Sequence, residues 1–207
     1  MTDRAALGAR LALVRQAFRL EYLTVAWMTI EAGVAIGSGI AAGSVTLLAF
    51  GLDSVIELAS AGVLIWRLNI ELQRGQPFAE SAERAAARIG GALLLALAAY
   101  VAGAAGWSLL TGRGQEFSLP GLVVSVVAIP AMWVLSRRKL RLAEALGSRA
   151  LRADAIEAVT CGWLSVVVVI GLLAQLLLGA WWVDPATSLV ILALLIKEGR
   201  EAWATED

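Results

Sequence analysis

Long apolar runs alternate with short charged segments along the whole chain. A hydrocarbon core ~30 Å thick needs roughly 20 apolar residues in a helix, so runs of this length predict membrane-spanning helices. Six runs meet this criterion: 20–41, 45–67, 86–110, 119–137, 151–179 and 182–203. The pattern predicts an all-α membrane protein with one six-helix domain over residues 1–207. Residues 1–19 are then a cytoplasmic lead-in, and no soluble domain is expected at the C-terminus.

The positions of lysine and arginine predict the orientation of these six runs. With six crossings, sixteen of the 17 basic residues fall on one side of the membrane, and Arg113 alone falls on the other. Basic residues are enriched in cytoplasmic connections, so both termini are expected in the cytoplasm. Arg137, Arg138, Lys139 and Arg141 are assigned to the cytoplasmic connection between the fourth and fifth helices. A multi-pass protein of the inner (plasma) membrane follows.

The composition supports this class and disfavours several others. Hydrophobic residues make up 59% of the 207 residues, and the mean hydropathy is +0.78. No basic face with interleaved aromatic residues is present, so nucleic acid is not an expected partner. One cysteine excludes an intrachain disulfide framework, and the absence of histidine removes the commonest metal ligand and catalytic base. We therefore expect neither an enzyme nor a permanently bound cofactor.

Acidic residues inside the apolar runs are the strongest functional signal. Asp53 and Glu57 lie four residues apart in the second run, and Glu157 and Cys161 have the same spacing in the fifth. Residues at this spacing share one face of a helix. If the two antiparallel helices pack together, Glu57 can approach Glu157 while Asp53 approaches Cys161. Four converging oxygen and sulfur donors are typical of a four-coordinate metal site.

Each of these residues also has a structural interpretation. A buried acid can be protonated or can cap a backbone, and an isolated cysteine in apolar surroundings is usually a small core residue. Three acids and a thiol with no lysine or arginine expected nearby would nevertheless repel one another unless a cation or protons intervene.

Five further acidic positions carry separate expectations. Glu31 in the first run is either a proton-linked group beside the metal ligands or a protonated acid bonded to a neighbouring helix. Asp154, one turn before Glu157, is expected close to the same ligands. An N-cap role is expected for Asp184, which precedes Pro185, whereas Glu198 and Glu201 are expected in solvent.

Two segments give the chain a resemblance to a known family. The run GSVTLLAFGLDSVIELASAGVLIWRL resembles the second transmembrane helix of cation diffusion facilitators, and SRALRADAIEAVTCGWLSVVVVIGLL resembles the fifth. The resemblance implies a divalent ion bound midway through the membrane by Asp53, Glu57, Glu157 and Cys161. Typical members use Asp and His at these places, so a carboxylate here replaces a histidine and a thiol replaces an aspartate. The chain resembles a short branch without the C-terminal cytoplasmic domain.

The expected function is a divalent-cation exporter, a homodimer that works by alternating access and is driven by protons. Oxygen donors favour Mn²⁺ or Fe²⁺, and a thiolate favours Zn²⁺ or Cd²⁺, so the donor set leaves Zn, Mn, Fe, Co and Cd open. A membrane metal sensor or scaffold that binds without transport is the alternative.

Overall fold

The computed structural model describes residues 2–74, 80–112 and 115–204, and within them the chain forms six α-helices. Their bounds are α1 Thr2–Ala42, α2 Val45–Arg74, α3 Glu80–Thr111, α4 Leu119–Leu146, α5 Arg149–Leu178 and α6 Val183–Ala204. The predicted all-α membrane architecture is confirmed. The lead-in is continuous with the first span, because α1 is a single helix of 41 residues.

Five of the described helices are long and apolar enough to cross a membrane, and α6 is the exception. Its apolar centre lies between Asp184 at one end and Lys197, Glu198 and Arg200 at the other. It is nevertheless an integral part of the bundle, because Ile191 and Leu195 are fully buried and the helix packs against α2, α3 and α5.

Glycine and serine residues define the tight connections between successive helices. Gly43, Gly147 and Gly179 adopt φ angles of 65°, 63° and 57°, in the left-handed region that ends a helix and favours glycine. Ser118 and Ser148 then accept hydrogen bonds from the first-turn amides of α4 and α5, at 3.2 Å and 3.3 Å. The resulting short turns make α1 and α2, α4 and α5, and α5 and α6 antiparallel neighbours.

Helix α2 occupies the centre of the bundle, where it packs against α1, α3, α5 and α6. Small residues permit the closest of these approaches. A Cβ on Gly51 would lie 2.7 Å from the Ile36 side chain and 2.9 Å from the Ile36 backbone nitrogen on α1. This contact brings Glu31 of α1 level with the acidic face of α2.

The bundle surface is apolar over most of its height. Leu110, Leu177 and Trp107 are 85%, 82% and 63% exposed, which is the arrangement expected of side chains that face lipid. A separate small core of Val14, Leu68, Leu146 and Leu151 continues the packing beyond the apolar runs. It lies at the end of the bundle where α2 and α4 end and α5 begins, which we call the basic end.

Candidate metal centre

Three predicted ligands from two helices meet in the interior. Asp53 and Glu57 on α2 and Cys161 on α5 each place one donor atom within 4.8 Å of the others. Their exposed fractions are 1%, 5% and 0%. The spacing of four residues stacks the two carboxylates on the face of α2 that contacts α5, as expected from helix geometry. We call these three residues the acid–thiol group.

The carboxylates of the acid–thiol group lack hydrogen-bond donors. Both oxygens of Asp53 and both oxygens of Glu57 are buried, and within the described residues none of the four has a hydrogen-bond partner. A buried polar atom without a partner costs free energy, and a buried charge costs several kcal/mol more unless something compensates it. The group therefore combines metal-binding donor atoms with buried carboxylates whose negative charge no described residue compensates, as expected of a cation-binding site.

Glu31 borders the acid–thiol group from α1. Its Oε2 accepts a hydrogen bond from Trp27 Nε1 at 2.6 Å, and its Oε1 accepts one from Ser54 Oγ at 2.8 Å and one from Cys161 Sγ at 3.4 Å. The carboxyl group thus links α1 to α2 and α5 and orients the sulfur. This position fits both interpretations of Glu31, because it lies beside the predicted ligand Cys161 and is also hydrogen-bonded to Ser54 of the neighbouring helix α2.

The fourth predicted ligand is not part of the acid–thiol group. Glu157, one turn earlier on α5, is half-buried and lies outside the group of three. The expectation that Glu198 is in solvent is wrong, because it is half-buried and its Oε2 is buried without a partner. Its charge interacts with those of Asp53 and Glu157. Glu201 is exposed as expected.

Residues 22–204 match the family described as the cation efflux transmembrane domain. The chain belongs to this family.

One similar protein is an uncharacterized transporter of the cyanobacterium Synechocystis. It is 32% identical over 165 residues, which are 76% of this chain and 52% of the relative. The chain thus spans about half the length of the curated relative it matches. The family assignment agrees with the resemblance of the α2 and α5 sequences.

The basic residue that sequence analysis misplaced lies inside this cation efflux domain. Lys139 was expected in a cytoplasmic connection, but α4 continues to Leu146 and Lys139 is 1% exposed. Its Nζ binds Glu21 Oε2 of α1 at 3.0 Å and Asp154 Oδ2 of α5. The expectation of no nearby basic residue is therefore wrong. We call Glu21, Lys139 and Asp154 the lysine-centred triad.

The triad also changes the interpretation of Asp154. This residue was expected to lie beside the metal ligands, and its described ion pair is instead with Lys139. The charge of Lys139 is close enough to interact with that of Glu157, so the triad and the candidate metal centre are electrostatic neighbours.

Asp184 acts as a cap, but for a different helix from the one expected. It lies in the first turn of α6, and its carboxylate accepts hydrogen bonds from Ser44 Oγ at 2.7 Å, Val45 N at 2.9 Å and Thr46 N at 3.2 Å. Val45 and Thr46 are the first two residues of α2, and Ser44 directly precedes the helix. Asp184 therefore accepts hydrogen bonds from the free backbone amides at the N-terminus of α2 and links this helix to α6.

Proposed function

We propose that this chain transports a divalent transition-metal ion through the acid–thiol group, by alternating access and in exchange for protons. The observation that carries the proposal is the set of four buried carboxylate oxygens without partners on Asp53 and Glu57, beside the sulfur of Cys161. Two carboxylates and a deprotonated thiol carry three negative charges, enough to balance the two charges of a divalent ion. A transported ion has to leave the site again. A site whose carboxylates are not permanently neutralised by a basic residue of the protein is suited to this.

The spacing of the donor atoms supports closure around an ion. Donors on a tetrahedral Zn²⁺ ion lie about 3.3–3.7 Å apart, given metal–ligand bonds of roughly 2.0–2.3 Å. The three donors here lie within 4.8 Å of one another. Movements on the order of 1 Å complete the contraction. Glu157 precedes Cys161 by one turn on the same helix, so a change of its side-chain rotamer can supply the fourth ligand.

The donor chemistry favours the softer end of the metal series. Sulfur from Cys161 prefers Zn²⁺ or Cd²⁺ to Mn²⁺ or Mg²⁺, which prefer sites made of oxygen alone. Two oxygen donors and one sulfur donor form the group of three, and the carboxylate of Glu157 adds a third oxygen. We therefore propose a Zn²⁺-like substrate, with Cd²⁺ transported by the same ligands.

Acidic side chains also extend from the acid–thiol group towards the basic end. Glu157 and Glu198 are half-buried there, and their charges interact with each other and with that of Asp53. Successive carboxylates lower the electrostatic cost of moving a divalent ion from the bilayer interface to its centre. These two residues are the proposed approach to the site.

Exchange with protons follows from the ligand chemistry. A metal binds the deprotonated carboxylate and thiolate, so protons and metal compete for the same atoms. Protons that enter from the opposite side would displace the ion and drive efflux. The cytoplasmic position of both termini, the inner-membrane location and the homodimer stay predictions.

A flux measurement tests this function. The purified protein is reconstituted into vesicles, a pH gradient is imposed, and Zn²⁺ entry is followed with a trapped fluorescent indicator. We expect gradient-dependent flux that falls to background for Asp53→Asn with Glu57→Gln. The control Glu144→Gln removes an exposed acid on α4 and should retain full flux. Cys161→Ser should reduce Zn²⁺ and Cd²⁺ flux more than Mn²⁺ flux.

Two results would contradict the proposal. Flux that persists in the double variant would remove Asp53 and Glu57 from the transport path. Stoichiometric Zn²⁺ binding without any flux under a gradient would instead identify the sensor or scaffold that the sequence left as the alternative.

A further inference from the structure

A groove at the basic end has the chemistry of a second binding site, which the transport function does not use. It lies between the N-terminal half of α1 and the C-terminal half of α4, and it is an open depression with a volume of about 430 Å³. Its walls combine three arginines with three leucines: Arg19, Arg138, Arg141, Leu20, Leu23 and Leu142. We call it the α1–α4 groove.

We propose that the α1–α4 groove binds one anionic phospholipid, with the phosphate on the arginines and an acyl chain along Leu20 and Leu23 of α1.

The groove is positively charged, so its ligand is expected to be an anion. Arg19, Arg138 and Arg141 are exposed, and none of the residues that line the groove in the described part of the chain is acidic. Guanidinium groups present planar pairs of N–H donors that match phosphate oxygens. Three of them around one cavity provide a site for a phosphate group.

The position of the groove specifies a lipid over a free phosphate ion. Residues 119–136 of α4 contain no charged residue, and residues 22–42 of α1 contain one acid, so both helices change from apolar to charged at this level. Such a change marks the bilayer interface, where lipid phosphates lie. Leu23 is 54% exposed on the bilayer side of Arg19, in the direction that an acyl chain would take.

A cation–π contact next to the groove also indicates that this part of α4 lies at the bilayer interface. Arg137 lies over the ring of Trp133 with 3.6 Å between the guanidinium carbon and the ring centroid. A smaller cavity of about 170 Å³ on this side of α4 again includes Arg138 and Arg141. Tryptophan with arginine one turn further out is a typical interfacial pair. Basic cavities between transmembrane helices at this depth are suited to anionic headgroups.

Lipid retention measured by native mass spectrometry tests the proposal. The full chain is purified in detergent and titrated with phosphatidylglycerol or phosphatidylcholine, and the bound lipids are counted. We expect one phosphatidylglycerol to be retained in preference to phosphatidylcholine. Each arginine should contribute roughly a fivefold preference, so Arg19→Gln with Arg138→Gln and Arg141→Gln should together lower retention by roughly 100-fold. Arg141→Gln alone should lower it about fivefold.

The matched control removes the same charge from the same end outside the groove. Arg152→Gln with Lys197→Gln and Arg200→Gln changes three exposed basic residues and should retain the lipid preference. Equal losses in the two triple variants would overturn the proposal, because general surface charge would then explain the preference. Displacement of the lipid by millimolar inorganic phosphate would also overturn it, because the leucines would then contribute nothing.

Discussion

Two buried charged clusters lie side by side in this bundle, and their charges are compensated in opposite ways. In the lysine-centred triad, Lys139 donates hydrogen bonds to Glu21 and Asp154, so the fold supplies its own cation. In the acid–thiol group, the carboxylates of Asp53 and Glu57 lie together with no donor among the described residues. A permanent internal cation suits a fixed joint between helices. Its absence suits a site that an external cation enters and leaves.

The two clusters also differ in which helices they join. The triad connects α1, α4 and α5 next to the basic end, whereas the acid–thiol group connects α2 and α5 in the interior. Helix α5 belongs to both. Asp154 anchors the first turns of α5, and Glu157 and Cys161 lie further along the same helix.

The largest expected effect comes from removal of the internal cation. Lys139→Met leaves Glu21 and Asp154 buried without their partner, and loss of one member of a buried ion pair costs about 3–5 kcal/mol. Thermal unfolding in detergent should show a large drop in Tm. The control Lys197→Met breaks an exposed pair with Glu201 at 3.9 Å, which contributes at most about 1 kcal/mol.

A rescue variant separates charge from packing. Lys139→Met combined with Glu21→Gln and Asp154→Asn removes all three charges and should recover much of the lost stability. If Lys139→Met proves no less stable than Lys197→Met, the triad is not a fixed joint and the comparison with the acid–thiol group fails.

The second effect concerns the cluster without a cation. Asp53→Asn with Glu57→Gln relieves the repulsion of two buried carboxylates, so without metal we expect no loss of stability. Zn²⁺ at 100 times its dissociation constant should stabilise the unchanged protein by about 2.7 kcal/mol and the double variant not at all. Thermal unfolding with and without Zn²⁺ measures both quantities. Equal Zn²⁺ stabilisation of the two proteins would place the ion elsewhere.

A third, smaller effect is expected at Glu31. Its compensation is intermediate, because its carboxyl group has hydrogen-bond donors in Trp27, Ser54 and Cys161 but no basic partner in the described residues. Groups that orient metal ligands typically contribute 10–100-fold in affinity. Calorimetric titration of Glu31→Gln should show a loss in this range for Zn²⁺. Unchanged affinity would limit Glu31 to holding α1 against α2.

Sequence patterns predicted the helices and the shared face of Asp53 and Glu57, because both signals are local. Apolar run length predicted six helices, of which all but α6 are long and apolar enough to cross a membrane, and the spacing of Asp53 and Glu57 places them on one face of α2. Convergence with Cys161 could be inferred only by assuming that α2 and α5 are neighbours. The spacing of Glu157 and Cys161 did not predict that Glu157 lies outside the group of three.

Lys139 was missed because its neighbours in sequence are basic and resemble a solvated connection. Helical periodicity contained the missing signal. The buried residues of α4 include Met132, Leu135, Lys139, Ala143 and Leu146, at steps of three or four residues. Extending this period past residue 137 places Lys139 on the buried face, where a lysine requires acidic partners. Identifying Glu21 and Asp154 as those partners still requires the packing of α1 and α5 against α4.

The smallest expected effect concerns Asp184, a buried carboxylate that is compensated by hydrogen bonds from neutral groups and by no lysine or metal. Asp184 accepts hydrogen bonds from neutral groups at the N-terminus of α2, where the helix dipole also favours a negative charge. Removing a capping side chain costs about 0.5–2 kcal/mol, and asparagine retains most of the effect. Asp184→Ala should therefore lower the free energy of unfolding by about 1 kcal/mol, with Asp184→Asn closer to the unchanged protein. Zn²⁺ stabilisation should be the same in both variants, because the cap needs no ion. A parallel loss of Zn²⁺ stabilisation in Asp184→Ala would instead show that the start of α2 controls the position of Asp53 and Glu57.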